Sequence, residues 1–140
     1  MTEFSGTWSP EAVATFLQGV TIPIRIATRR ADGSIWPVTV WYRYRDGQFE
    51  CATHADSALV GLVKGEPDVG FDVSTNDVPY SGVRGYGRVT VSSEGAHEVL
   101  RDLVEGLQLL VVGEYLLLVE PPSAEADAHF RHVRSHARRG

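Results

Sequence analysis

Between Ile22 and Val91 the chain alternates apolar and polar residues in short runs broken by two Asp-Gly pairs, and this pattern restricts the fold to antiparallel β structure more tightly than any other feature. Ile22, Ile24 and Ile26 alternate with Pro23, Arg25 and Ala27, then meet the turn Ala31-Asp32-Gly33-Ser34. In the next run Trp36, Val38, Val40, Tyr42 and Tyr44 share one face, and Pro37, Thr39, Trp41, Arg43 and Arg45 the other, because strand side chains alternate with period two. Asp46-Gly47 turns the chain into a third strand carrying Phe49, Cys51 and Thr53 on one face, which predicts a tight meander. Val69, Phe71 and Val73 mark a further inward-facing run. Val83, Gly85, Gly87, Val89 and Val91 mark another, whose glycines permit curvature. Tyr115 to Glu120 is apolar on both faces, as expected of a strand that is central or at an interface.

Helical signals flank these strands. Ser9 is a capping residue followed by Pro10 and Glu11, with Val13, Phe16, Leu17 and Val20 at helical spacing. Asp56 is placed to cap a short helix bearing Leu59, Val60 and Val63, and Ala96, Val99, Leu100, Leu103, Val104 and Leu107 trace another. Pro121-Pro122 reads as a linker before a tail helix from about Ala124 to Arg138. The predicted organisation is therefore a barrel domain over 1–122 and a C-terminal helical tail over 123–140.

With 140 residues the chain is of single-domain size, and its 18 acidic against 13 basic residues oppose nonspecific nucleic-acid binding. A lone Cys51 excludes an internal disulfide framework and any CxxC metal spacing, which fits a reducing, cytoplasmic setting. The sequence has no basic leader followed by an apolar core and no apolar run of membrane-spanning length, so a soluble protein without a membrane partner is expected. It carries no Walker, dinucleotide or G-x-S-x-G motif, which removes the usual footholds for nucleotide hydrolysis and serine hydrolase chemistry.

The order TIPIRIATRRADGSIWPVTVWYRYRDGQFECAT, HADSALVGLVKGEPDVGFDV and PYSGVRGYGRVTV, covering roughly four-fifths of the chain, resembles the pyridoxamine-phosphate-oxidase-like, FMN-binding split-barrel proteins. The resemblance implies a mainly β, six-stranded antiparallel split barrel with flanking helices. It further implies a homodimer with an FMN pocket at the subunit interface, deazaflavin F(420) being the alternative cofactor. In that family a Thr after the third strand and a Ser four residues on hold the cofactor phosphate, which maps onto Thr53 and Ser57, with His54 between them. Helix N-termini favour anions in any case, although Ser and Thr are also ordinary capping residues. The Pro37-Val38-Thr39-Val40-Trp41 segment matches the strand that lines the isoalloxazine ring, and Arg84 falls in the strand start that approaches the partner's flavin. Where the family places Arg-Lys after the serine this chain has Ala58 and Leu59, which leaves open a weaker cofactor, a different one or none.

Two functional classes follow. One is a flavin- or deazaflavin-dependent oxidoreductase acting on a small organic substrate, with no catalytic residue identifiable because the cofactor carries the hydride. The other is a non-catalytic ligand carrier or sensor with a degenerate cofactor site. His129, His132 and His136 share one face of the expected tail helix, but neither cysteine nor HExxH accompanies them, and no metal site is assigned.

Overall fold

A computed structural model describes residues 2–54, 57–78, 80–92, 98–99 and 115–127. Its elements are β1 (Glu3–Ser5), α1 (Pro10–Gly19), β2 (Ile24–Arg29), β3 (Ile35–Val40), β4 (Arg43–Arg45), β5 (Gln48–Thr53), α2 (Ala58–Gly65), β6 (Asp68–Ser74), β7 (Gly82–Ser92) and β8 (Tyr115–Asp127). The strands form one curled sheet in the order β3-β2-β6-β7-β8-β5-β4, with β1 added parallel to β8.

The expected mainly β split barrel is present, with eight strands among the described residues rather than six. The N-terminal Glu3–Ser5 adds one strand, and the long run Trp36–Tyr44 accounts for the other by dividing at Trp41-Tyr42. Its halves, β3 and β4, lie at opposite edges of the sheet, so the expected three-strand meander is two hairpins, β2-β3 and β4-β5. The alternation survives the break because both halves turn the same parity inward. Tyr42 and Tyr44 are buried, and the Tyr42 hydroxyl donates to the Leu17 carbonyl at 2.9 Å, pinning α1 over the seam. Curling the sheet brings its two edges together at this seam.

The core fills the concave face. Ile24, Ile26, Val69, Phe71, Val73, Val83 and Val89 come from the predicted inward parity and are buried. Phe49 sits among Tyr42, Tyr44 and Phe71 with ring centroids 5.1–5.3 Å apart, a tilted or edge-on arrangement that suits aromatic quadrupoles. Ser9 caps α1 as expected, accepting from the Ala12 amide at 3.1 Å. The turn at Asp46-Gly47 places both residues at positive φ, as a two-residue hairpin with right-handed twist requires. At Gly82, φ is 152° and an added Cβ would clash with the Val73 carbonyl, so only glycine starts β7 without strain.

β8 is central, pairing with β7 on one side and with β5 and then β1 on the other. It runs straight through Pro121-Pro122, where a linker was expected, and ends at Asp127. The register against β7 shifts there, from Arg88 opposite Glu120 to Tyr86 opposite Ser123, so the two prolines face the single residue Gly87 across a bulge. A bulge tolerates prolines because the ladder is already interrupted. The tail helix therefore cannot begin at Ala124; residues 128–140, including the three histidines, lie outside the described residues, as does the helix expected over 96–107 apart from Glu98 and Val99.

Candidate functional site

Two regions carry the residues singled out by the sequence. The first is a groove of about 840 Å³ on the convex face of the sheet. The register aligns Pro37, Ala27, Gly70 and Tyr86 across β3, β2, β6 and β7, and beside them Thr39, Arg25, Asp72 and Arg84. Ala27, Gly70 and Gly85 form a floor of small residues, with Pro37, Arg25, Arg84 and the exposed Tyr86 around it and Phe4 of β1 at the far side. Arg25 faces Asp72 at 3.9 Å, while both Asp72 oxygens accept from the Ser74 hydroxyl at 2.6 and 2.7 Å.

Pro37 and Arg84 are thus brought together, and Thr39 projects on the same convex face from the exposed parity of β3. Val38 and Val40 turn the other way, opposite Ile26 and Ile24, and are half-buried against the core. Trp41 is half-buried in the link between β3 and β4. Among the described residues β3 pairs with β2 alone, so one row of its backbone amides and carbonyls faces away from the sheet.

The second region is the entry to α2. Thr53 ends β5, His54 is exposed, and Ser57 rather than Asp56 is the N-cap, its hydroxyl oxygen accepting from the Val60 amide at 3.3 Å. The amides of the first turn have no partner within the helix, which is the arrangement that attracts an anion. Ala58 is exposed, whereas Leu59 is 3 % exposed and packs with Val60 and Val63 into the core. Thr53, His54 and Ser57 do not line the convex groove.

A further groove of about 780 Å³ lies between α1 and the β4-β5 turn, lined by Pro10, Ala14, Gln18, Tyr44, Gln48 and Arg88 among others. Cys51 takes no part in any of these regions. Burial, followed by the neighbouring Glu50 carboxylate, pushes its thiol up to about 12, so it is a core residue and not a nucleophile near neutral pH. Glu50 itself is buried and held by Arg43 through a two-pronged contact at 3.0 and 3.1 Å.

Sequence reasoning did not identify Arg25, Gly70, Asp72 or Tyr86 as site residues. The available signal was a glycine inside β6 and opposite charges at outward parity on β2 and β6, which become neighbours only once the strands are paired.

No protein-family model matches the chain, and no curated protein matches it in sequence. Solved structures do. A conserved hypothetical protein from Mycobacterium tuberculosis superimposes with a TM-score of 0.74 at 19% identity, over 86% of this chain and 84% of that one. An F(420) reductase gives 0.67 at 18% identity, over 83% and 98%. An FAD-binding protein from Mycobacterium smegmatis gives 0.61 at 18% identity, over 86% and 94%. Haem-binding proteins share the architecture as well. The chain has the pyridoxamine-phosphate-oxidase-like split-barrel fold that these solved structures share.

Proposed function

We propose that this protein is a flavin- or deazaflavin-dependent oxidoreductase that works as a homodimer, with FMN as the first cofactor to test. The observation that supports this reading best is the entry to α2 on a split barrel, where the Ser57 hydroxyl and the first-turn amides offer an anion site beside Thr53 and His54. Thr53, His54 and Ser57 would hold the cofactor phosphate. The Ser57 oxygen accepts from Val60, so its own proton is available for an anion alongside the first-turn amides of α2. The backbone of Pro37-Val38-Thr39-Val40 supplies hydrogen-bonding groups along an open edge for the polar rim of a ring, and Trp41 supplies an aromatic surface at the seam. When bound, the cofactor supplies hydride transfer at its N5; the protein orients the ring and excludes water.

The burial of Leu59 favours a second reading. Neither of the two positions after Ser57 offers a cation, so a chain that binds a tetrapyrrole or other ligand as a carrier or sensor is consistent with the same fold. An absorption spectrum of freshly purified protein separates the readings. Flavin or deazaflavin bands, or their recovery on adding FMN or F(420), support the oxidoreductase. A haem spectrum, or no uptake of either flavin, overturns it. Among the described residues no helix is long and apolar enough to cross a membrane.

A further inference from the structure

We propose that the convex groove binds a planar ring bearing a single carboxylate, with Arg25 as the anion's partner; on the oxidoreductase reading above, this ligand is the substrate and not the cofactor.

The groove's volume of about 840 Å³ is within the range of small-ligand sites. Packing does not require the missing side chain at Gly70. A Cβ on Gly70 would lie 3.7 Å from the Ala27 Cβ and 3.8 Å from the Gly85 carbonyl, both ordinary contacts, so the fold itself admits a side chain there. Glycine weakens a strand, and one that sterics do not require and that sits in a regular ladder, as Gly70 does opposite Tyr86, suits close approach of a ligand to the backbone. Tyr86 lines the same groove with 59% of its surface exposed.

The charge pattern selects the ligand's anion. The Arg25 side chain is 44% exposed, and its ion pair with Asp72 at 3.9 Å is too long for a hydrogen bond. Asp72 instead takes the Ser74 hydroxyl on both oxygens. Among the described residues the guanidinium fork of Arg25 is therefore held near the groove but not consumed, and a carboxylate fits it through two parallel bonds. Arg25 and Arg84 are matched in the lining by Asp72 and Glu3. With no net charge in the lining, any anion depends on the one guanidinium fork, and a phosphate ester's dianion is disfavoured more than a carboxylate's single charge, which separates this site from the anion site at α2.

The test is titration calorimetry on the full chain with 2-naphthoate, its neutral isostere 2-naphthamide, and inorganic phosphate. The acid should bind about tenfold or more tighter than the amide, since charge-assisted bonds are lost with the charge. Arg25→Gln should remove that preference while leaving the amide's affinity unchanged. Gly70→Val, or the smaller Gly70→Ala, should weaken both ligands in protein that melts as the parent does. Equal binding of acid and amide, a preference that survives Arg25→Gln, or phosphate competing as well as the acid, overturns the proposal. Repeating the titration with saturating FMN distinguishes the two ligands. Unchanged naphthoate affinity supports a substrate site, and mutual exclusion assigns the groove to the cofactor and overturns it. Arg25-dependent naphthoate binding by a protein that takes up no flavin leaves the carboxylate site standing and removes the oxidoreductase reading alone.

Discussion

Placing a lysine at each of the two positions after Ser57 tests whether the missing phosphate cations can be restored. Leu59 is 3 % exposed and packs with Val60 and Val63 against the sheet. Leu59→Lys forfeits about 1.5–3 kcal/mol of apolar burial. The ammonium must in addition reach water or stay unpaired, which brings the total to about 3–5 kcal/mol, the lower end applying where the long stem snorkels outward. For a domain of this size each kcal/mol shifts the melting temperature by about 3 °C, so a fall of about 10 °C is expected. FMN affinity should not improve. Ala58 is exposed at the first helical position, so Ala58→Lys should cost at most about 1 kcal/mol through the helix dipole. It should also tighten FMN by up to about tenfold at low salt, with the gain falling as salt is added. Thermal melts followed by circular dichroism and FMN titration of both variants decide the matter. Tighter FMN binding by Leu59→Lys at an unchanged melting temperature would refute the packing argument, and an Ala58→Lys variant with parental affinity would place the phosphate elsewhere.

Three further outcomes are expected. Thr53→Ala combined with Ser57→Ala should weaken FMN by about tenfold or more and lower stability by about 1 kcal/mol through the lost cap; unchanged affinity in the calorimeter removes the anion site from α2. Light scattering at micromolar concentration should give about twice the 15.4 kDa chain mass, and a monomer that does not associate on concentration removes a pocket shared between subunits. Burial, with Glu50 beside it, raises the Cys51 thiol from near 9 to about 12, so the folded state favours the protonated form and the unfolded thiol ionises first. That stabilisation is complete below pH 9 and is lost as pH rises towards 12. Denaturant midpoints should fall over this window less steeply in Cys51→Val than in the parent, and identical slopes would contradict the assignment.

Local chemistry made much of this molecule legible in advance. Ser9, Pro10 and Glu11 specify the start of α1 through capping alone, and Asp46-Gly47 specifies a hairpin because few residue pairs accept positive φ twice. The alternation of Ile24 and Ile26, of Val69, Phe71 and Val73, and of Val83 and Val89 identifies core faces, since period-two patterning is a property of a strand wherever it lies. The likeness that suggested a split barrel was carried by the order of these strands, and order survives when identity has fallen below a fifth.

What the sequence could not decide depends on which strand lies beside which. Trp36 to Tyr44 has the pattern of one strand, yet it breaks at Trp41-Tyr42 because closing the barrel sends its halves to opposite edges. Pro121-Pro122 carries a linker's signal, and becomes part of a central strand at a bulge opposite Gly87, where the ladder is already interrupted. Leu59 has a phosphate ligand's position in the chain but a core residue's place in space, and helical phase against β2 and β7 settles which. Arg25, Gly70, Asp72 and Tyr86 are unremarkable as letters; pairing β2 with β6 and β6 with β7 makes them one surface. Period and turn chemistry are local and can be read along the chain, whereas register and strand neighbourhood are fixed by the whole core at once, and the groove exists only at that level.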